Sequence, residues 1–216
     1  MEKKFIINLG RELGSGGRDI GVKVAESLGI EFYDKKLIKL AAKQSGISDE
    51  IFERVDEHSQ KKSLSTLLSY LRNPFTGSDA AANNVLSAEA LFTIQSDVIR
   101  EIASRDSALF VGRCADYILR DHPLSVNIFI TAGRADRIAR IAMLHSISER
   151  EAERMIDRCD ESRASYYNFY GTGQWGHASS YDLCVNSSLL GLDQTADYII
   201  DFIRRRLALE SDSATK

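Results

Sequence analysis

Four of the eight residues from Gly10 to Gly17 are glycines, and this segment directly follows a short apolar run at residues 5–9. A glycine-rich loop between a strand and a helix points successive backbone N–H groups at one spot, where the helix dipole adds positive potential. A phosphate-sized anion fits such a loop. A tight turn that binds nothing is the alternative, but the N-terminal position and the order of the surrounding elements favour phosphate.

The loop does not follow either of the two common phosphate-binding patterns. The pattern G-x-G-x-x-G begins at Gly14 and Gly16, but its third glycine would fall on Asp19. The P-loop pattern requires a lysine, and the loop contains none. Arg18 is the nearest cation, and its poor placement against the dipole favours an anion partner over a surface salt bridge. Asp19 could be a magnesium ligand, and it fits a helix N-cap equally well.

Two further charged residues stand at the ends of predicted strands: Asp34 directly follows one, and Arg113 follows another after a single glycine. The carboxyl ends of parallel strands form one edge of a sheet, where open α/β sheets bind ligands. Asp34 is therefore predicted to contact a ligand, with a cap for a helix beginning at Lys35 as the alternative. Arg113 is suited to bidentate capture of a phosphate, and an ion pair with Asp116 or Asp121 is its alternative.

The secondary structure that must position these residues is an alternation of strands and helices along the chain. Short apolar runs predict five strands, at residues 5–9, 30–33, 108–111, 126–130 and 183–186. Amphipathic spacing predicts helices at residues 20–28, 35–72, 91–102, 134–166 and 195–207. The first strand, loop, helix and second strand form a βαβ unit, which favours a parallel sheet. The sequence thus predicts an α/β fold with a five-stranded parallel sheet flanked by helices.

The length of 216 residues favours one domain, predicted over residues 1–208, with helical insertions near 40–95 and 145–180. The polar residues 209–216 are predicted to form a disordered tail. The 44% of apolar residues argues against global disorder. The net charge of −3 disfavours a nucleic-acid binder. No apolar run approaches the roughly 18 residues of a membrane span.

Three widely spaced cysteines, at positions 114, 159 and 184, form no metal-ligand pattern. We interpret them as reduced thiols in a cytoplasmic protein. The leucines within residues 64–71 fit either a core face or a contact between two copies of the chain, so a homodimer is compatible with the sequence.

Residues 14–34 resemble the start of bacterial cytidylate kinases, and more closely the cytidylate kinase-like family, whose loop carries Gly-Ser-Gly-Gly-Arg. The resemblance continues in three further segments, at residues 111–113, 134–163 and 181–186. It implies a P-loop kinase-like fold, with an acceptor-side helical insertion and an arginine-rich helical lid. The implied activity is ATP-dependent phosphoryl transfer to a nucleoside monophosphate such as CMP or dCMP.

The resemblance also implies roles for individual residues. The ATP-binding residues would be Gly14, Ser15, Gly16, Gly17, Arg18, Asp19 and Arg137. Among these, Asp19 would also hold Mg²⁺, and Arg137 would lie over the adenine. Asp34 and Arg113 would contact the acceptor. Arg18, together with the lid residues Arg158 and Arg163, would neutralise the transferred phosphoryl group.

Several positions depart from the cytidylate kinase pattern. The phosphate-contacting lysine falls on Gly17, the magnesium-contacting hydroxyl on Asp19, two aspartates on Val111 and Cys114, and an acceptor-binding arginine on Leu40. Two alternatives to a nucleoside monophosphate kinase therefore remain open. One is a regulatory protein that binds nucleotide without catalysis, and the other is a kinase of a different small molecule.

Overall fold

The computed structural model describes residues 4–34 and 88–213. The chain divides into two compact units, one formed by residues 1–34 and 99–216 and the other by residues 35–98. Of the second unit, only residues 88–98 are described. The helix predicted at 35–72, the leucines of 64–71 and Leu40 lie outside the described residues, as does most of the insertion predicted near 40–95.

Five parallel strands form one sheet in the order β2-β3-β1-β4-β5. Their bounds are Ile6–Arg11 (β1), Glu31–Tyr33 (β2), Ala108–Val111 (β3), Ser125–Thr131 (β4) and Leu183–Asn186 (β5). The predicted five-stranded parallel sheet is confirmed. The central strands are nearly continuous apolar runs because a parallel sheet is covered on both faces, and Ile6, Leu9 and Phe110 are almost completely buried.

Six α-helices are described, and they account for most of the described residues outside the sheet. Their bounds are Gly17–Leu28 (α1), Ala88–Arg105 (α2), Ala115–Ile118 (α3), Arg134–His145 (α4), Glu149–Tyr170 (α5) and Ser187–Ser213 (α6). Helices α1 and α6 contribute Ile20, Val24, Ile199 and Ile203 to a core cluster against the sheet. Helix α6 has non-helical backbone at Gly191 and extends to Ser213, within the stretch predicted as a tail.

Strand β1 is longer than the sequence predicted, because Gly10 and Arg11 continue its pairing with β4. A glycine usually weakens a strand, but here a side chain at position 10 would not fit. A Cβ atom added to Gly10 would lie 2.7 Å from the Phe129 ring. The extension places Arg11 at the carboxyl end of the central strand, directly before the glycine loop.

The helix predicted over residues 134–166 is two helices. Helix α4 ends at His145, and its C-cap residue Ser146 is left-handed with φ of 53°. Helix α5 then begins with a capping box, in which the Ser148 hydroxyl accepts the Glu151 amide and the Glu151 carboxylate accepts the Ser148 amide. Each helix thus ends or begins with its own local signal, and the break lets α5 fold back against α4.

Replacing Ser148 with alanine should lower the free energy of unfolding by about 1 kcal/mol, because the capping hydroxyl is lost. Urea denaturation at neutral pH measures this difference. The matched control is Ser104→Ala, inside helix α2, where the Ser104 hydroxyl bonds only back to the Glu101 carbonyl among the described contacts. The control should cost nothing, since alanine is the better helix former. Equal losses in the two variants would contradict a capping role.

Candidate functional site

Residues 12–16 form the turn between β1 and α1, and two of its glycines are left-handed. Gly14 has φ of 81° and Gly16 has φ of 73°. A Cβ atom added to Gly14 would lie 2.8 Å from the carbonyl oxygen of Arg137, and one added to Gly16 would collide with Leu192. Both positions therefore need glycine, because the backbone conformation and the packing each exclude a side chain.

The amides of this turn are only partly used by the protein. Leu13 donates its N–H to Asp160 Oδ1 at 2.8 Å, and Gly17 donates to Ser15 Oγ at 3.3 Å. Within residues 4–34 and 88–213, no acceptor faces the amides of Gly14, Gly16, Arg18 and Asp19. These donors lie at the positive end of α1, where an anion is stabilised by hydrogen bonds and by the dipole.

Asp19 was predicted as a magnesium ligand or as a helix N-cap. The N-cap residue is Gly16, and α1 starts at Gly17, so the cap interpretation of Asp19 is wrong. Asp19 is exposed in the first turn. Among the described residues, no group of three or more His, Cys, Asp or Glu side chains could hold a metal. Mg²⁺ keeps several waters and needs few protein carboxylates, so a single Asp19 fits a site shared with phosphates.

Asp34 joins two arginines across the site. Its Oδ1 lies 3.7 Å from Nη2 of Arg11, and its Oδ2 lies 3.3 Å from Nε of Arg18. Arg18 is 65% exposed, whereas the Arg11 side chain is 19% exposed and Asp34 20%. The carboxylate thus lies between one mostly covered cation and one exposed cation. The helix that Asp34 was predicted to cap lies outside the described residues.

Arg163, from helix α5, reaches the same place. Its Nη1 donates to the carbonyl oxygen of Arg11 at 3.2 Å and lies 3.8 Å from Oδ1 of Asp160. Burial lowers the pKa of Arg163, and burial together with the Arg163 and Arg113 charges lowers the pKa of Arg11 to about 9. The guanidinium groups of Arg11, Arg113 and Arg163 therefore lie close enough at the carboxyl edge of the sheet for their charges to interact.

Arg113 lies in a strained turn after β3. Gly112, Arg113 and Cys114 are all left-handed, with φ of 72°, 60° and 55°. Left-handed backbone is unfavourable for residues with a Cβ, and such strain concentrates at functional sites. Of the two partners considered for Arg113, Asp116 accepts the Tyr167 hydroxyl at 2.5 Å, and Asp121 lies 3.8 Å from Arg120. Burial raises the pKa of Asp116.

Arg137, predicted over an adenine, is buried and contacts the glycine loop from α4. Its Nε donates to the Leu13 carbonyl at 2.8 Å, its Nη1 lies 3.1 Å from Glu12 Oε1, and its Nη2 pairs with Asp160. Only 5% of the residue is exposed. These contacts give Arg137 a supporting role for the loop, and the adenine contact stays a prediction.

Arg158, the other predicted lid arginine, is exposed, and its Nε donates to the Arg154 carbonyl of its own helix. The contacts described for residues 88–213 do not place Arg158 next to Arg11, Arg18 or Arg163. Ser187, the first residue of α6, is buried, and its hydroxyl donates to the Ser15 carbonyl at 2.7 Å. It supports the glycine loop from the start of α6.

Arg11 is the site residue that sequence reasoning missed. The same signal that selected Arg113, an arginine at the carboxyl end of a buried strand, applies to Arg11. It was missed because the strand was predicted to stop at Leu9, which placed Arg11 inside the loop rather than at the sheet edge.

The sequence profile of the cytidylate kinase-like family matches residues 6–189, and the matched segment includes the whole of this site. The chain belongs to the cytidylate kinase-like family. No curated protein matches the sequence. An uncharacterised protein from Eubacterium ventriosum is similar to this family member in structure, with 27% identity, a TM-score of 0.67, and coverage of 93% of this chain and 99% of the other.

Two solved shikimate kinases show that this cytidylate kinase-like protein has the P-loop kinase fold. The enzyme from Bacteroides thetaiotaomicron is 12% identical with a TM-score of 0.53, covering 93% of this chain and 98% of the other. The enzyme from Acinetobacter baumannii, solved with shikimate, is 14% identical with a TM-score of 0.51, covering 94% and 95%. Among the described residues, no helix is long and apolar enough to span a membrane.

Proposed function

We propose that this protein is an ATP-dependent phosphotransferase whose acceptor is a nucleoside monophosphate, with CMP and dCMP as the first candidates. The observation that carries the proposal is the cation cluster next to the glycine-loop amides that have no acceptor in the described part of the chain. Arg11, Arg18 and Arg163 all lie within contact distance of Asp34 or of one another. Such a concentration of positive charge around one carboxylate is stabilised when a polyanion binds.

The arrangement suits in-line phosphoryl transfer. An oxygen of the acceptor phosphate forms a bond to the γ-phosphorus, the bond from that phosphorus to the β,γ-bridging oxygen breaks, and ADP leaves. An acceptor phosphate that is already ionised has no proton to lose, so the site needs no general base. Catalysis then rests on positioning and on cations that neutralise the charge spread over the equatorial oxygens.

The two sides of the site have separate tasks in this proposal. The amides of Gly14, Gly16, Arg18 and Asp19 would hold the phosphates of ATP. Asp34 and Arg113, at the ends of the neighbouring strands, would hold the acceptor, with Arg113 as the bidentate phosphate ligand. When bound, Mg²⁺ neutralises charge on the β- and γ-phosphate oxygens, and Asp19 is the residue that would hold it.

A nucleotide-binding regulatory protein is the second candidate. The observation that favours it is Gly17, which stands where the resemblance expects the lysine that contacts the phosphates. A loop with amides alone binds an anion but contributes less charge to a transition state than a loop with a lysine. The distinction between the two candidates is therefore turnover, not binding.

A coupled ADP-release assay with Mg-ATP and a panel of CMP, dCMP, UMP, AMP and shikimate tests the proposal. We expect turnover with a pyrimidine monophosphate. A parallel thermal-shift titration with Mg-ATP identifies the alternatives: stabilisation without turnover on any acceptor supports the regulatory protein, and turnover confined to shikimate supports a kinase of a different small molecule. Absence of both turnover and stabilisation contradicts every nucleotide-based function.

A further inference from the structure

The side-chain stem of Arg11 packs directly against the backbone of Gly17. A Cβ atom added to Gly17 would lie 2.7 Å from Cβ and 3.1 Å from Cγ of Arg11. The aliphatic stem of Arg11 therefore lies where any side chain at position 17 would have to begin. The first residue of α1 has to be glycine because an arginine from the end of β1 covers it.

The guanidinium of Arg11 continues from this stem toward the carboxyl edge of the sheet. Its Nη1 would lie 2.7 Å from a Cβ atom added to Gly112, and its Nη2 is 3.7 Å from Asp34. It therefore lies between the glycine loop and the turn that carries Arg113. In the proposed function this is the boundary between the ATP side and the acceptor side.

The side chain of Arg11 is mostly covered, at 19% exposed, and its donors meet few acceptors in the described part of the chain. No hydrogen bond from the Arg11 side chain to any acceptor is found among the described residues, and its nearest carboxylate is beyond hydrogen-bond distance. Burial and the nearby Arg163 charge both disfavour the cation. A bound anion would instead stabilise the charged form of Arg11.

We propose that Arg11 supplies, from the end of β1, the phosphate-contacting cation that the loop lacks at Gly17. The inference rests on the proposed function and adds the residue that replaces the lysine. It assigns to Arg11 the role for which Arg18 was the sequence-based candidate. Arg18 is 65% exposed, its Nε lies 3.3 Å from Oδ2 of Asp34, and its guanidinium carbon lies 5.8 Å from the centre of the Phe32 ring.

The substitution that tests this inference is Arg11→Met, which keeps an unbranched stem over Gly17 and removes the charge. We expect its affinity for Mg-ATP, measured by isothermal titration calorimetry, to fall roughly 10- to 100-fold, the range for a charged hydrogen bond. Inorganic tripolyphosphate as a second probe should lose affinity by a similar factor, because the lost contact is to phosphate. Arg11→Lys restores a cation and should recover part of the affinity.

Arg134→Met is the matched control, since Arg134 pairs with Glu153 and Asp157 on the exposed side of α4. It should bind both probes like the wild type. Melting temperatures without ligand, measured for every variant, separate loss of binding from loss of folding. If Arg11→Met does not fold, the comparison of Arg11→Lys with the wild type carries the same test, and an Arg11→Lys variant that binds neither probe contradicts a role through charge.

The double variant Arg11→Met, Gly17→Lys gives the sharpest result. Gly17→Lys alone should weaken binding because the lysine collides with Arg11. In the double variant the methionine stem can move aside and the lysine returns the charge, so affinity should exceed that of Arg11→Met. A double variant that binds no better contradicts the claim that the two positions serve one site.

The outcomes also separate this inference from the function on which it rests. If the wild type binds Mg-ATP and Arg11→Met binds it equally well, the role of Arg11 is wrong and the proposed function stands. If the wild type binds neither Mg-ATP nor tripolyphosphate, both are wrong.

Discussion

Arg137→Met should lower the free energy of unfolding by about 3–5 kcal/mol, the cost of leaving buried carboxylates without their cation. Arg137 is nearly inaccessible, and its partners Glu12 and Asp160 are 22% and 15% exposed. Arg134→Met is the matched control on the same helix. It also removes two carboxylate contacts, but these are about half exposed and screened by solvent, so their loss should cost far less stability than the loss of Arg137.

The loss in Arg137→Met should depend on pH. Burial already raises the pKa of Asp160, while the Arg137 charge opposes this shift. Without Arg137, the pKa of Asp160 rises further above its value in the unfolded chain. A carboxyl whose pKa is higher in the folded than in the unfolded chain lowers the free energy of unfolding at high pH, where it is ionised. This loss of stability disappears as the carboxyl becomes protonated at lower pH. Urea denaturation should therefore show a larger deficit at pH 7.5 than at pH 5. Equal deficits for Arg137→Met and Arg134→Met would contradict the importance of the buried network.

Arg163→Met should reduce kcat with Mg-ATP and CMP about 10³-fold, the lower end of the effect of an arginine that stabilises a transferring phosphoryl group. Arg163, one of the two predicted lid arginines, reaches the Arg11 backbone, so its loss removes a cation from the proposed point of transfer. The KM for ATP should change far less than kcat, because the loop amides that hold the nucleotide are unaltered.

The control for Arg163→Met is Arg154→Met, two and a half turns earlier on the exposed surface of α5. It should leave kcat unchanged. Comparable losses of kcat in the two variants, or a loss in Arg163→Met that parallels a lower melting temperature, would indicate a structural effect on the helix. A rise in KM with unchanged kcat would place Arg163 in ground-state binding instead.

The number of strands and their parallel pairing could be predicted, because each strand is a short apolar run and the first βαβ unit favours a parallel sheet. The ends were less predictable. Gly10 would normally end a strand. It continues β1 because it pairs with Phe129 of β4, 119 positions later in the sequence, and the Phe129 ring packs over it. The break between α4 and α5 at Ser146 was likewise not predicted, because apolar residues recur at helical spacing on both sides of it.

The candidate site was predictable to the extent that its residues follow strands. Asp34 and Arg113 were found on that criterion, and the structure places Asp34 against Arg11 and Arg18. The buried role of Arg137 could not be predicted, because it depends on Glu12 and Asp160, which come from distant parts of the chain. Sequence spacing along α4 shows which residues share a face but not which carboxylates will meet them.

The aromatic contact at the end of β4 has a practical consequence. Trp175 is the one tryptophan in the sequence, and its ring meets Phe129 edge-on with 5.2 Å between centroids. Phe129 in turn covers Gly10, the residue before Arg11. Indole emission from the whole protein therefore arises at a single point beside the strand that leads into the glycine loop, so unlabelled protein carries its own optical reporter of rearrangements there.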